Sequence, residues 1–164
     1  MIADTVLLLA PVGLPLSGGA VAMLLRRRAR LVEPFAGGVV ALTVLASFML
    51  LLRTLDCDRL AVTIFGGWPN GIGVGFAARL PGVALVAVVA VVALAAAIFA
   101  RADIGDRRRR AGYDALMLAL IGAVNGALLT TDLFNLYVWF ELALIAALGL
   151  VLLDRRRHQV GGAT

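Results

Sequence analysis

Long apolar stretches separated by short polar segments dominate the chain. Each approaches the roughly 20 apolar residues that a helix needs to cross the hydrocarbon core of a bilayer. Because backbone groups in lipid must bond within their own segment, such stretches are expected to be helices. The pattern predicts a single membrane domain, residues 1–164, with five transmembrane helices over about residues 4–25, 35–52, 81–100, 113–129 and 132–153.

The polar segment between the second and third predicted helices, residues 56–80, has a different pattern. Residues 61–65 have strand composition, residues 66–71 are rich in turn residues and end on Asn-Gly, and residues 72–76 alternate apolar residues with glycine. Asn-Gly between two such runs is a strong β-hairpin signal. The expected fold class is therefore all-α integral membrane, with a small β-hairpin in this loop.

Composition and charge placement agree with a membrane protein. The chain is 62% hydrophobic, its mean hydropathy is +1.01, and its net charge is +5. All 15 basic residues are arginines, and 12 of them fall on one side of the predicted membrane. Because cytoplasmic loops carry the basic excess, the N-terminus and the 56–80 loop are predicted outside, and the 107–110 loop and the 154–164 tail inside. Arginines placed this way argue against a nucleic-acid-binding protein.

Few residues could support redox, metal or enzymatic chemistry. Cys57 is the single cysteine, and His158, in the polar tail, is the single histidine. One thiol cannot hold an iron–sulfur cluster, and the sequence shows neither a nucleophile–base set nor a metal-ligand cluster. We therefore expect no cofactor, no metal and no enzymatic activity.

Glu141 is the residue that most strongly indicates a function. It lies nine residues into the fifth predicted helix, which places it near 14 Å along a helix of roughly 33 Å. A charged side chain at that depth costs about 2.5–3.5 kcal/mol, and such groups usually mark ion or proton paths. The alternative is a protonated glutamate that only hydrogen-bonds a neighbour. Tyr137, four residues earlier on the same helix face, is the candidate neighbour.

Other polar residues near Glu141 have structural explanations. Asp132 follows two threonines at the predicted helix start, where it would cap free N–H groups. Asn135 could extend a polar entry towards Glu141. Gly122 and Gly126 are four residues apart in the fourth predicted helix and would permit close helix packing. Asn125, between them, could donate a hydrogen bond across that contact.

Two prolines and three glycines interrupt the first predicted helix. Proline removes a backbone donor and kinks a helix, and neighbouring helices must then satisfy the freed groups. We favour a kinked packing helix over a broken, substrate-binding one. The residues concerned are Pro11, Gly13, Pro15, Gly18 and Gly19.

Two segments resemble a known family. Residues 122–142, GAVNGALLTTDLFNLYVWFEL, resemble the fourth and fifth helices of the D subunit of Mrp-type multisubunit sodium/proton antiporters. Residues 66–72, GGWPNGI, resemble the outer hairpin of the same family, which belongs with the proton-pumping subunits of complex I and membrane-bound hydrogenases. The resemblance implies that the glutamate matching Glu141 pairs with a lysine on a later helix. It also implies a fold of about fourteen helices, built from two inverted five-helix repeats and flanking helices, with a polar proton path at the midplane.

The resemblance covers only the N-terminal third of the family. The chain has no lysine, and Ala78, beside Arg79, stands where family members usually carry an acidic residue. The expected function is a membrane subunit, or its N-terminal part, of a monovalent cation/proton antiporter in the bacterial cell (inner) membrane. Its expected partners are other membrane subunits, with protons and sodium as candidate ions. The alternative is a structural or assembly subunit without conduction of its own.

Overall fold

A computed structural model describes residues 2–56, 62–65 and 74–155 and is mostly helical. In this part of the chain, four helices are long and apolar enough to cross a membrane, and a fifth apolar helix of 17 residues is shorter. This agrees with the predicted all-α membrane fold, whereas the number of spans stays a prediction. The elements are α1 (Ile2–Leu25), α2 (Ala29–Asp56), β1 (Val62–Phe65), β2 (Val74–Ala77), α3 (Leu80–Asp103), α4 (Asp106–Arg110), α5 (Tyr113–Leu129) and α6 (Leu133–Arg155).

Helix α2 is longer than the predicted transmembrane span. It begins at Ala29, six residues before residue 35, and includes Glu33. Pro34 stands inside this helix. It is near the helix start and removes only the one bond that its own N–H would have donated to the Arg30 carbonyl, so the helix continues through it.

Helix α5 lies at the centre of the bundle. It packs extensively on α1 and α6 and less extensively on α3, while α2 packs on α1 and α3. Helix α6 makes extensive contacts only with α5. In the most apolar 18-residue segment of α6, only 6% is buried inside the protein. In the corresponding segments of the other three long helices, 33–39% is buried. One side of α6 is therefore left uncovered by the described residues.

Two apolar clusters hold the bundle together, one near each end. The first is at the strand end, where Phe76 of β2 packs with residues from the starts of α1 and α3 and the end of α5, such as Leu8, Val83 and Leu129. The second is at the opposite end, which we call the arginine end because α4 lies there. It joins α1, α2, α3 and α5 through residues that include Ala22, Val40, Ala93 and Leu118.

The two strands pair antiparallel and attach to the turn before α6. Val62 pairs with Ala77, and Phe65 pairs with Val74. The Thr131 N–H donates to the Gly75 carbonyl at 2.9 Å. The predicted turn, residues 66–71, and Cys57 lie outside the described residues, so the tight hairpin connection stays a prediction. The strand pair is fixed to the α5–α6 connection through β2.

Candidate functional site on helix α6

Glu141 lies on the uncovered face of α6. It is exposed, and its Cα is about 12 Å along the axis from the first residue of this helix of roughly 33 Å. The neighbouring side chains on this face are large, apolar and also exposed; they include Phe134, Phe140, Leu144 and Leu148. The single carboxylate is thus surrounded by an apolar surface.

Tyr137 is the polar neighbour of Glu141. Its hydroxyl lies near the Glu141 carboxylate, one helical turn away, where it could donate a hydrogen bond. The Tyr137 side chain is itself 62% exposed. The pair therefore occupies the same uncovered face, and no third described polar side chain is hydrogen-bonded to it.

The other predicted site residues near α6 belong to its capped start. An Asp132 carboxylate oxygen accepts a hydrogen bond from the Asn135 backbone N–H at 2.8 Å, which is an N-cap arrangement. The Asn135 side chain is buried, and its amide donates to the Thr130 hydroxyl at 2.9 Å. The structure therefore does not bring Asp132 or Asn135 to Glu141, and the suggested polar entry has no geometric support here.

The two glycines of α5 permit close approach to two different neighbours. A Cβ added at Gly122 would lie 2.7 Å from Leu16 Cγ of α1. A Cβ added at Gly126 would overlap the indole ring of Trp139 of α6. The pair does not form one helix–helix contact, because it lets α5 pack against α1 on one side and α6 on the other.

Asn125 satisfies a backbone group that a proline leaves unpaired. Its side-chain amide donates to the Pro11 carbonyl of α1 at 2.8 Å, and the side chain is fully buried. In a regular helix, the N–H of residue 15 would bond that carbonyl, but residue 15 is proline and has no N–H. The hydrogen bond from α5 replaces the missing one within α1.

Replacing Asn125 by leucine should destabilise the chain by about 1–3 kcal/mol, because the Pro11 carbonyl would remain buried without a donor. The measurement is thermal unfolding of the detergent-purified chain. Ser17→Ala is the matched control, since the exposed Ser17 hydroxyl bonds only carbonyls of its own helix. Its effect should stay within about 0.5 kcal/mol. Equal losses in both variants would contradict this role for Asn125.

A buried charge cluster at the arginine end was missed by the sequence analysis. Arg109 Nη1 lies 2.7 Å from Asp114 Oδ1, and these side chains are 4% and 6% exposed. Arg109 Nη2 donates to the Ala100 carbonyl at 3.0 Å, and its Nε lies 3.7 Å from Glu33. Through one guanidinium, α4 is tied to α2, α3 and α5. The only sequence signal was an acidic residue in the first turn of an apolar helix, which a cap explains equally well.

The described residues contain no group of three or more histidine, cysteine, aspartate or glutamate side chains that could hold a metal. The polar contacts in this part of the chain include one carboxylate–tyrosine pair on an open face and several buried bonds between elements. The Glu141–Tyr137 pair on the open face suits interaction with a further helix. The buried bonds suit structural support.

Comparison with known proteins finds homologous antiporter subunits. No protein-family model matches the chain. It is 29% identical over 150 residues to the D subunit of the Na(+)/H(+) antiporter of Bacillus subtilis (strain 168), covering 92% of this chain and 30% of that protein. It is 33% identical over 153 residues to the D subunit of a probable K(+)/H(+) antiporter of Rhizobium meliloti (strain 1021), covering 89% of this chain and 28% of that protein.

A solved structure gives the same result. A chain in the structure of the Mrp complex from Dietzia sp. DQ12-45-1b superimposes with a TM-score of 0.82 and 29% sequence identity. The match covers 92% of this chain and 27% of that one. The chain thus spans about a third of the length of the proteins that it matches.

Proposed function

The chain is a homologue of the N-terminal third of the antiporter D subunits, and from this premise we propose that it contributes Glu141 to a proton path in a multisubunit monovalent cation/proton antiporter. The observation that supports the proposal is the position of this carboxylate on the uncovered face of α6. The path would be completed by helices outside the 164 residues. The proposed location is the bacterial inner membrane.

Burial in lipid alone would be unfavourable for Glu141. A charged side chain near the centre of a membrane helix costs about 2.5–3.5 kcal/mol, so such residues usually face protein or a water-filled cavity. Since α6 packs extensively only on α5, its Glu141 face is available to another helix. A cation on that helix would favour the ionised carboxylate, and its withdrawal would favour the protonated form. A group that changes protonation in this way can pass a proton along a path.

The coupling ion is proposed only as a monovalent cation. One relative is named as part of a Na(+)/H(+) antiporter and another as part of a probable K(+)/H(+) antiporter. Both have similar identity to this chain, so similarity does not favour sodium over potassium. The names of both relatives include protons as the second ion.

A second candidate function is support of an antiporter assembly without conduction. The buried Arg109–Asp114 pair and the Asn125–Pro11 hydrogen bond favour it, because both connect elements and neither includes Glu141. The two functions differ in whether the Glu141 carboxylate must ionise.

We further propose that the N-terminus and the strand end face outward and the arginine end faces inward, from the distribution of arginines. A thiol reagent that cannot cross membranes should therefore label Cys57 in intact cells. The labelling of Cys57 is measured as the mass that the reagent adds to the purified chain. Cells opened with detergent before labelling provide the maximum, and Cys57→Ser provides the background. Labelling that requires permeabilisation would reverse the orientation.

The assembly itself can be tested by purification. Affinity purification of the tagged chain from its own cells in mild detergent should recover additional membrane subunits. Liposomes containing that assembly should exchange sodium or potassium for protons, measured with a pH-sensitive dye. Liposomes with the 164-residue chain alone should stay at background, because they lack a partner for Glu141. Exchange by the chain alone would refute the shared path.

A further inference from the structure

A basic cavity of about 380 Å³ lies at the arginine end, between the ends of α1 and α6 and the short helix α4. Its polar lining comes from Arg26, Arg107 and Arg108, and its apolar lining includes Leu152 and Leu153. The cavity is separate from Glu141, which lies eleven residues before Leu152 along α6. The proposed proton path uses none of these arginines, and the positive-inside distribution accounts for the side of the membrane on which they lie but not for their position around one opening.

Two of these arginines lack a carboxylate partner among the described residues. Among the side chains that the structure describes, none forms an ion pair with Arg26 or Arg107, and none that lines the cavity is acidic. Arg108 lies 3.7 Å from Asp103, whose side chain is 57% exposed. The site therefore favours an anion.

The apolar part of the cavity continues along α6. Leu152 is 60% exposed, and Leu148 and Val151 beside it are exposed to a similar degree. Together they form an apolar strip that leads from the arginines towards the middle of a helix apolar enough to span a membrane. A ligand with a charged head and a long apolar tail would match both parts.

We propose that this cavity binds an anionic phospholipid, with its phosphodiester at Arg26, Arg107 and Arg108 and an acyl chain along Leu152. Guanidinium groups match the geometry of phosphate oxygens, and basic pockets at the cytoplasmic ends of membrane helices bind lipid headgroups. A free phosphate would use the arginines but not the leucines. An acidic protein segment would not need the apolar strip to extend towards the bilayer. The combination therefore favours lipid.

The test compares two double variants that remove the same charge from the same two segments. Arg26→Gln with Arg107→Gln changes the cavity, whereas Arg30→Gln with Arg110→Gln changes exposed arginines outside it. Dioleoylphosphatidylglycerol is titrated into each 164-residue variant in detergent, and bound lipid is counted by native mass spectrometry. Each arginine near an anionic lipid contributes about fivefold in affinity, so the cavity variant should bind about 30-fold more weakly. The control variant should change less than about threefold.

Additional measurements identify the ligand and distinguish the loss of the binding site from misfolding of the double variant. Arg107→Gln alone, at an exposed position, should weaken binding about fivefold. Dioleoylphosphatidylcholine and inorganic phosphate should bind much more weakly than phosphatidylglycerol. Benzoylphenylalanine in place of Leu152 should cross-link to lipid in native membranes. Equal losses in both double variants, equally tight binding of inorganic phosphate, or cross-linking to a protein would each overturn the proposal.

Discussion

Replacing Glu141 by glutamine is expected to abolish cation/proton exchange by the assembled complex while leaving its abundance unchanged. Glutamine keeps the size of the side chain and can still accept a hydrogen bond from Tyr137, but it cannot ionise. If the carboxylate carries protons, flux falls to background. The measurement is pH-gradient-driven sodium or potassium exchange in vesicles, with the amount of complex determined by immunoblot.

The chain offers a matched control, because it has one other glutamate. Glu33 lies in α2 at the arginine end, and Glu33→Gln should leave exchange near wild type. Glu141→Asp should retain part of the flux, since it moves the carboxyl group by one methylene. Tyr137→Phe should have a milder effect, because it removes one hydrogen bond worth about 0.5–1.5 kcal/mol. Wild-type exchange by Glu141→Gln would favour the assembly function instead.

Replacing Arg109 by methionine is expected to destabilise the chain by about 3–5 kcal/mol, because Asp114 would be left as a buried carboxylate without its counter-charge. The Ala100 carbonyl would lose a donor at the same time. Thermal unfolding of the detergent-purified chain should shift downwards by about 10 °C or more. The measurement is the fraction of chain that stays monodisperse after heating.

Two further variants distinguish the effect of breaking the buried Arg109–Asp114 pair from the effect of removing a positive charge in general. Arg110→Met removes a neighbouring exposed arginine, whose pair with Asp106 is 61% and 68% exposed, and should cost less than about 0.5 kcal/mol. Combining Arg109→Met with Asp114→Leu should recover much of the lost stability, because an apolar pair carries no unpaired buried charge. A double variant as unstable as Arg109→Met would show that the loss has another origin.

The sequence predicted the long helices well because their signal is local. Residues 4–25 and 81–100 are mostly apolar, and α1 and α3 cover them with small changes at the ends. Helix α2 begins at Ala29, six residues before the predicted span 35–52, and continues through Pro34. In the folded chain, the proline lies so close to the helix start that only one bond is lost.

The buried charge cluster could not be predicted from the sequence because its signal is not local. Arg109 is one of four consecutive arginines, and only the orientation of α4 decides which of them is buried. The proximity of Tyr137 to Glu141 has a local signal, since residues four apart on one helix are neighbours. Glu141 is exposed among the described residues, so a signal within one helix does not reveal what contacts it.

The hydrogen bond between Asn125 and Pro11 also has a consequence for biogenesis. The two residues are 114 positions apart, so α1 must enter the membrane long before its donor is made. At about 5–20 residues per second, the ribosome needs roughly 6–23 s to synthesise the intervening chain. During this interval the Pro11 carbonyl must be satisfied by water or by the insertion machinery. Stable release of the first helix into lipid is therefore expected to wait for the arrival of α5.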